Sequence, residues 1–443
     1  MPHSRYKEIV DRLSGEIRQG RRAPGTLLPP HRELAAQEGI SLATATRVYA
    51  ELQAMGLVAG EVGRGTFVRT QVPFGKDVDM DTASGDLVDM TFNYPALPVQ
   101  TELMRAALKQ LSMSGELDAL LRYQPHGGRP HEKQIVAQHL KSRGLSVAPE
   151  SVLIVDGAIH GLATVAMSLM NPGDVVAVDA VSYPGIKAVA ELCRLELIAI
   201  PAAGMALDLD VLDRLCRTRR VRAVFCMPTV HNPMGWVMTL AVRQALVEVA
   251  RRHGLLLLED GSYSFLERRA PPPLAALAPD ITVYISSLSK SVATGLRFGF
   301  VSAPAGFVPG ISRAIRATVW NTPAMVTAIC CKWLQDGTVA WLEREKRGDA
   351  RARQAIAARS LAGLEMVAHP ASYFVWLPMP EEVRADAVAR QLLDEGILVA
   401  TASPYATGQQ VPHALRLALG SISHTQLRQA LVVVAKAIRG ASC

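Results

Sequence analysis

A chain of 443 residues exceeds one ordinary hydrophobic core and implies two or three domains, one of them a large α/β unit. Its 49% hydrophobic and 20% charged residues exclude a disordered chain, and no apolar run approaches the roughly 18 residues of a membrane span. The net charge of +7 permits contact with nucleic acid without demanding it, and six cysteines without metal-type spacing fit reduced thiols in a cytoplasmic protein.

The first 69 residues carry ten Lys and Arg against seven Asp and Glu. Ile9, Leu13 and Ile17 recur at helical spacing and predict a helix over Tyr6–Gln19, broken by Gly20, Pro24 and Gly25. A second helix starts in Leu28-Pro29-Pro30-His31-Arg32-Glu33-Leu34, with prolines at its start. Gly39-Ile40-Ser41 reads as a turn, and Ser41 can N-cap a third helix, Leu42–Met55, whose Val48, Leu52 and Met55 share a face. Leu57–Ala59 and Thr66–Val68 then read as strands joined by a glycine-rich hairpin, residues 60–65. A helix fits the major groove, and a wing can bring Arg64 and the bare Gly65 against the DNA backbone or minor groove. Arg32 is placed for a phosphate.

These residues resemble the GntR family of winged-helix repressors, through Leu28-Pro29, Arg32-Glu33-Leu34-Ala35, Gly39-Ile40-Ser41, Thr44 and the ending Gly56-Leu57-Val58…Gly63-Arg64-Gly65-Thr66-Phe67-Val68. The resemblance covers about residues 5–69. It implies contacts to a double-stranded DNA operator by Arg32, Ser41, Thr44, Arg47 and Gly65, beside Arg64. Leu42 and Ala43 stand where that family often has Arg and a polar residue.

Residues 70–89 read as a linker: they lack apolar periodicity and hold Asp77, Asp79, Asp81, Asp86 and Asp89 among Pro73, Gly75 and Gly85. From about residue 90 to 443, short apolar runs alternate with longer amphipathic stretches. The runs are Val152–Val155, Val175–Val178, Leu197–Ile200, Ala223–Met227, Leu255–Leu258 and Val283–Ile285. That rhythm predicts a mostly parallel sheet covered by helices on both faces.

Chemistry concentrates at the ends of these runs. Ser286-Ser287-Leu288-Ser289-Lys290 follows one strand, and a lysine buried among serines can have a depressed pKa and form a Schiff base. Ser287, Ser289 and Arg297 can then hold a dianionic phosphate. Pyridoxal phosphate (PLP) needs a carboxylate against its pyridine nitrogen, and Asp260 stands at the carboxyl edge of a strand where ligands bind in α/β sheets. Tyr263 and Asn232 can share the phenolic oxygen. Gly157, Ala158 and Ile159 open a helix whose amides suit the phosphate. Tyr183 can stack on the ring. Arg416 alternates with apolar residues in a strand and needs an anionic partner, for which a substrate or effector carboxylate is the natural one.

Together these residues resemble fold-type I aminotransferases of the aspartate aminotransferase group. The order Tyr123, Gly157, Tyr183, Asn232, Asp260, Tyr263, Lys290, Arg297, Arg416 is that family's order, from about residue 90 to the end. The resemblance implies large and small subdomains, and a Tyr123 that reaches the phosphate in the partner subunit's site. Asp156, His160 and Ser372 depart from the family's usual small, amide and glycine residues.

A GntR-type reader joined to such a domain is similar to the MocR (GabR-like) subfamily. That likeness implies a head-to-tail homodimer in the cytoplasm, each reader over the other subunit's large domain, with PLP on Lys290. It implies a transcription regulator that senses a small amino compound, or PLP itself. A working aminotransferase acting on an amino acid remains the alternative. Neither a metal nor a membrane is expected among its partners.

Overall fold

The computed structural model describes residues 5–18, 21–54, 57–61, 64–69, 87–115, 117–380, 383–408 and 410–441. Three helices, α1 (Arg5–Arg18), α2 (His31–Glu38) and α3 (Leu42–Ala54), precede a hairpin of β1 (Val58–Glu61) and β2 (Gly65–Val68). The expected Gln19, Met55 and tip residues 62–63 lie outside the described residues, as does most of the linker, 70–86. Ile9, Leu13 and Ile17 of α1 and Val48, Tyr49 and Leu52 of α3 are all buried in one cluster with Leu28, Leu34, Leu57 and Val68. Helical spacing of three and four residues puts these side chains on facing stripes, which is why so short a unit holds a core.

The second helix begins inside the stretch expected for it. Helix α2 begins at His31, with Pro30 as its N-cap. The Leu28 N–H donates to the Thr66 carbonyl at 2.8 Å, so this segment runs beside the wing. Gly39 ends α2 in the left-handed region with its N–H on the Ala35 carbonyl. Ser41 caps α3 as expected, its Oγ accepting from the Thr44 N–H at 3.1 Å.

The larger part is built on a seven-stranded sheet. Its spatial order is Val152–Val155, Gly299–Ser302, Thr282–Ser287, Leu256–Asp260, Val221–Cys226, Val175–Asp179, Glu196–Ile200. All neighbours are parallel except Gly299–Ser302, which runs antiparallel to both of its own. Within Val152–Val155, Leu153 and Val155 join one apolar cluster while Val152 and Ile154 join another, so the strand is buried on both faces.

A smaller three-stranded antiparallel sheet, Phe374–Pro378, Ala414–Ala418 and Ala400–Thr401, carries the helices Ala385–Asp394 and His424–Ala441. The 23-residue helix Thr338–Ser360 joins the two parts. Val88–Asp89, inside the stretch read as linker, pairs with Ile397–Leu398 of the smaller part. A two-residue strand has no periodicity to show in sequence. Among the described residues no helix is long and apolar enough to cross a membrane.

Candidate functional site

The carboxyl ends of the central strands open on a cavity of about 260 Å³. Polar residues extend two of those strands beyond their apolar runs. Leu256–Asp260 includes Glu259 and Asp260, and Thr282–Ser287 includes Ser286 and Ser287. The expected strands end at Leu258 and Ile285 because a hydrophobic criterion misses polar strand positions: Asp260 and Ser287 line the cavity, while Glu259 accepts from the Ala275 N–H and Ser286 donates to the Gly261 carbonyl.

Eleven of the residues singled out in sequence line this cavity: Ala158, Ile159, Tyr183, Asn232, Asp260, Tyr263, Ser287, Ser289, Lys290, Arg297 and Arg416. Lys290 Nζ donates to the Asn93 carbonyl at 2.9 Å. Burial brings its amine down to about 8, helped by the nearby cations Arg416 and Arg297. Asp260 is buried, and burial raises its carboxyl against the opposing hydrogen bonds from Ser262. A buried carboxylate in that condition gains from a cationic ring nitrogen. Tyr263 is pushed up to about 12 by burial, and the Tyr183 phenol is raised for the same reason.

One end of the cavity suits a phosphate. Arg297 donates to the Asp156 carbonyl at 3.0 Å and to Ser289 Oγ at 3.5 Å, from a left-handed backbone with φ of 49°. Gly157 does not line the cavity but shapes it: a Cβ there would stand 2.5 Å from an Arg297 guanidinium nitrogen. Its φ of 83° also favours glycine. It is the N-cap of the helix Ala158–Leu169, whose first amides have no partner within the helix. His160 is held on both ring nitrogens, accepting from the Asp156 N–H at 3.0 Å and facing Thr318 Oγ1 at 2.8 Å.

The other end suits a carboxylate. Arg416, on Ala414–Ala418, is 3% exposed and donates to the Thr91 carbonyl at 2.9 Å. Its Nε and Asn232 Oδ1 are buried and meet no partner among the described residues. Buried polar atoms without partners are rare, and two of them on side chains that line one cavity mark groups awaiting a ligand. A carboxylate for Arg416, a protonated ring nitrogen for Asp260 and an aldehyde for the Lys290 amine are what PLP with an amino acid would supply, so the residues present fit that cofactor.

Sequence reasoning missed Thr91, Phe92, Asn93 and Tyr94, as well as Tyr405, which all line the cavity from the smaller part. They belong to no helix or sheet run, and only the tertiary fold brings them here. Tyr123 does not line it: the side chain is 84% exposed, with its ring 5.1 Å from that of Trp320. A larger open cleft of about 1050 Å³, lined by Arg143, Arg268, Arg344, Arg347 and Arg351 among others, shares no side chain with this site.

In the reader, Arg32, Ser41, Leu42, Arg47 and Gly65 are exposed, while Thr44 and Arg64 are half-buried. Ser41 and Thr44 also bond each other through their hydroxyls at 2.8 Å. Arg47 lies over the Tyr6 ring, 4.2 Å from its centroid.

Residues 85–434 match the family described as aminotransferase class I and II. The chain belongs to that family. Residues 5–68 of this aminotransferase-family chain match the bacterial regulatory proteins of the gntR family. Two relatives span both parts. An uncharacterized HTH-type transcriptional regulator, YdeF of Bacillus subtilis, is 25% identical over 92% of this chain and 88% of its own. The HTH-type transcriptional regulator TauR of Rhodobacter capsulatus is 27% identical over 96% and 94%. Among solved structures, an archaeal alanine:glyoxylate aminotransferase superposes with a TM-score of 0.74 at 25% identity, over 80% of this chain and 91% of that one. The chain is thus a GntR-type regulator fused to an aminotransferase-like domain, the arrangement of the MocR-type regulators, and PLP is the cofactor of that domain.

Proposed function

We propose that this chain is a PLP-dependent transcription regulator that senses an amino compound, or PLP itself, at Lys290 and reports it through the DNA-binding reader. The observation that carries the reading is one cavity holding a lysine of lowered pKa, a buried aspartate and an arginine with a free Nε in the same chain as a winged helix.

PLP supplies an aldehyde with which Lys290 or an incoming amine condenses, and an absorbance that reports which of them holds it. Ser287, Ser289, Arg297, Gly157 and the amides of Ala158 and Ile159 hold its phosphate. Asp260 keeps a proton on the ring nitrogen, Asn232 and Tyr263 share the phenolic oxygen, and Tyr183 covers the ring. Arg416 turns its free Nε to the carboxylate of the effector and so orients its amine toward Lys290. The exposed Tyr123 serves the partner subunit's site in a head-to-tail homodimer. Arg32, Ser41, Thr44, Arg47, Arg64 and Gly65 contact the operator, and the protein works in the cytoplasm.

The test is an absorbance titration of purified protein with a panel of amino acids, followed by a DNA shift on the chain's own promoter region. A spectral change accompanied by a change in DNA affinity is the expected result. The intact Lys290, Asp260 and Arg416 also favour a second reading, a working aminotransferase. Rapid turnover of an amino acid with 2-oxoglutarate, without DNA binding, would replace the first reading with the second.

A further inference from the structure

The helix Leu240–His253 carries Arg243, whose side chain is wholly buried. A guanidinium has five N–H donors, and here each meets an oxygen. Nε donates to the Met238 carbonyl at 3.1 Å. Nη2 donates to the Pro228 carbonyl and to Thr229 Oγ1, both at 2.8 Å. Nη1 donates to the carbonyls of Pro271 and Pro272 at 3.3 and 3.1 Å. None of these oxygens belongs to a carboxylate, and burial lowers the pKa of Arg243 against the opposing charge of Glu259. An apolar side chain of similar length would fill the space without burying a charge. It could not hold five oxygens around one rigid plane, as a guanidinium does.

The oxygens lie on the two segments that present Asn232 and Asp260 to the cavity. The first, residues 228–238, is a closed hairpin. The Met238 N–H donates to the Pro228 carbonyl at 2.9 Å, Thr229 bridges to Val237, and the His231 N–H donates to the Trp236 carbonyl at 2.9 Å. Asn232 stands near its tip and lines the cavity. Arg243 grips both legs at the base, Pro228 and Thr229 on one and Met238 on the other. The second segment is reached through Pro271 and Pro272, which precede the short helix Leu274–Leu277. There the Ala275 N–H donates to the Glu259 carboxylate at 3.0 Å, and Glu259 is the residue before Asp260. Glu259 also pairs with Cys226, so the two segments leave neighbouring strands.

We propose that Arg243 is a positioning residue for the PLP ring, fixing Asn232, at the phenolic oxygen, relative to Asp260, at the ring nitrogen. One plane of donors spans both segments, so the separation of the two ring contacts is set from behind the cavity. Arg243 does not touch the ring and acts through Asn232. A hydrogen bond from the Asn232 amide favours the phenolic oxygen in its charged form. That oxygen shares a proton with the Lys290 nitrogen once PLP is on it. A displaced Asn232 leaves that proton more tightly held, so the pH at which the absorbance changes rises. The role rests on the reading of PLP at Lys290 above and names what keeps that site in shape.

The test uses the full-length, PLP-loaded chain and reads the pH midpoint of its visible absorbance. Where the band does not titrate, its wavelength maximum is read instead. Asn232→Ala is the reference and is expected to raise the midpoint by about one to two pH units, the worth of one hydrogen bond to a charged group. Arg243→Met is expected to raise it by a similar amount, and Arg243→Lys to recover part of the shift. Thr229→Val removes one of the acceptors at nearly constant shape and is expected to give a smaller rise. It takes the place of Arg243→Met in every comparison if that variant does not fold. In the Asn232→Ala background the second substitution is expected to add nothing, because both act through one contact. A merely structural role would lower the denaturant midpoint of unfolding and leave the pH midpoint at its wild-type value, which overturns the positioning role alone. A shift that adds in full to that of Asn232→Ala also overturns it. A wild type that shows no visible band when supplied with PLP overturns the reading at Lys290 and the positioning role together.

Discussion

Lys346 Nζ donates to the main-chain carbonyl of Lys290 at 3.2 Å, so one lysine holds the backbone of the other. Lys346 is fully buried and also donates to the carbonyls of Pro95, at 2.7 Å, and Val292. Burial brings its amine from 10.5 down to about 7, with the charge of Lys290 adding to the effect. Between those values the unfolded chain binds the proton more readily. This group's contribution to stability therefore rises with pH from about 7 to 10, by at most about 1.4 kcal/mol per pH unit. Lys346→Met removes that slope and strands three acceptors, at a cost on the order of 1–3 kcal/mol for each that water cannot reach. Denaturant unfolding at pH 7 and pH 9 is expected to show a variant whose deficit grows with pH. Parallel curves for the two proteins would contradict it.

Lys290 itself titrates near 8, and only its neutral amine attacks an aldehyde. Below that value the neutral fraction falls tenfold per pH unit. The rate at which PLP-free protein takes up PLP is therefore expected to climb about tenfold from pH 6 to pH 7 and to level off above about 8. Stopped-flow absorbance reads it directly. A rate still climbing at pH 10 would mean that the amine behaves as an ordinary exposed lysine.

How much of this was legible in the sequence depended on where each residue's signal lies. Lys290 and Asp260 were legible because each follows an apolar run that ends at the ligand edge of a sheet. Arg416 stood out because a charge inside an alternating apolar strand demands a partner. Lys346 was not legible. It lies in a 23-residue helix rich in solvated charges, and its spacing alone does not separate the buried lysine from the others. The strand Gly299–Ser302 was also missed, because it begins two residues after Arg297, within the stretch read as phosphate-binding. Tyr405 and Asn93 carry no local pattern; the fold alone gives them their place.

Gly157 offers a substitution aimed at the phosphate end. A Cβ at this position would meet Arg297 at 2.5 Å, and φ of 83° is unfavourable for alanine. Gly157→Ala is expected to push the guanidinium out of the phosphate position and weaken PLP binding by about tenfold or more, some 1.4 kcal/mol. Titration of PLP-free protein followed by tryptophan fluorescence measures it. Unchanged affinity would remove Arg297 and Gly157 from the phosphate site.

The reader separates positioning from base recognition at two exposed residues. Arg32, at the start of α2, is placed to neutralise a phosphate. Leu42, the first residue of α3, is 48% exposed and apolar where a helix would face base edges. An apolar side chain there can touch the thymine methyl and can form no hydrogen bond to guanine. Arg32→Ala is expected to weaken all duplexes alike and to lower the slope of log affinity against log salt by about one. Leu42→Ala is expected to leave that slope intact and to lose about 1 kcal/mol on thymine-containing sites selected from a random library, with little change on scrambled DNA. Fluorescence anisotropy across a salt series distinguishes the two. Loss of sequence preference in the Arg32 variant, with none in the Leu42 variant, would reverse the assigned roles.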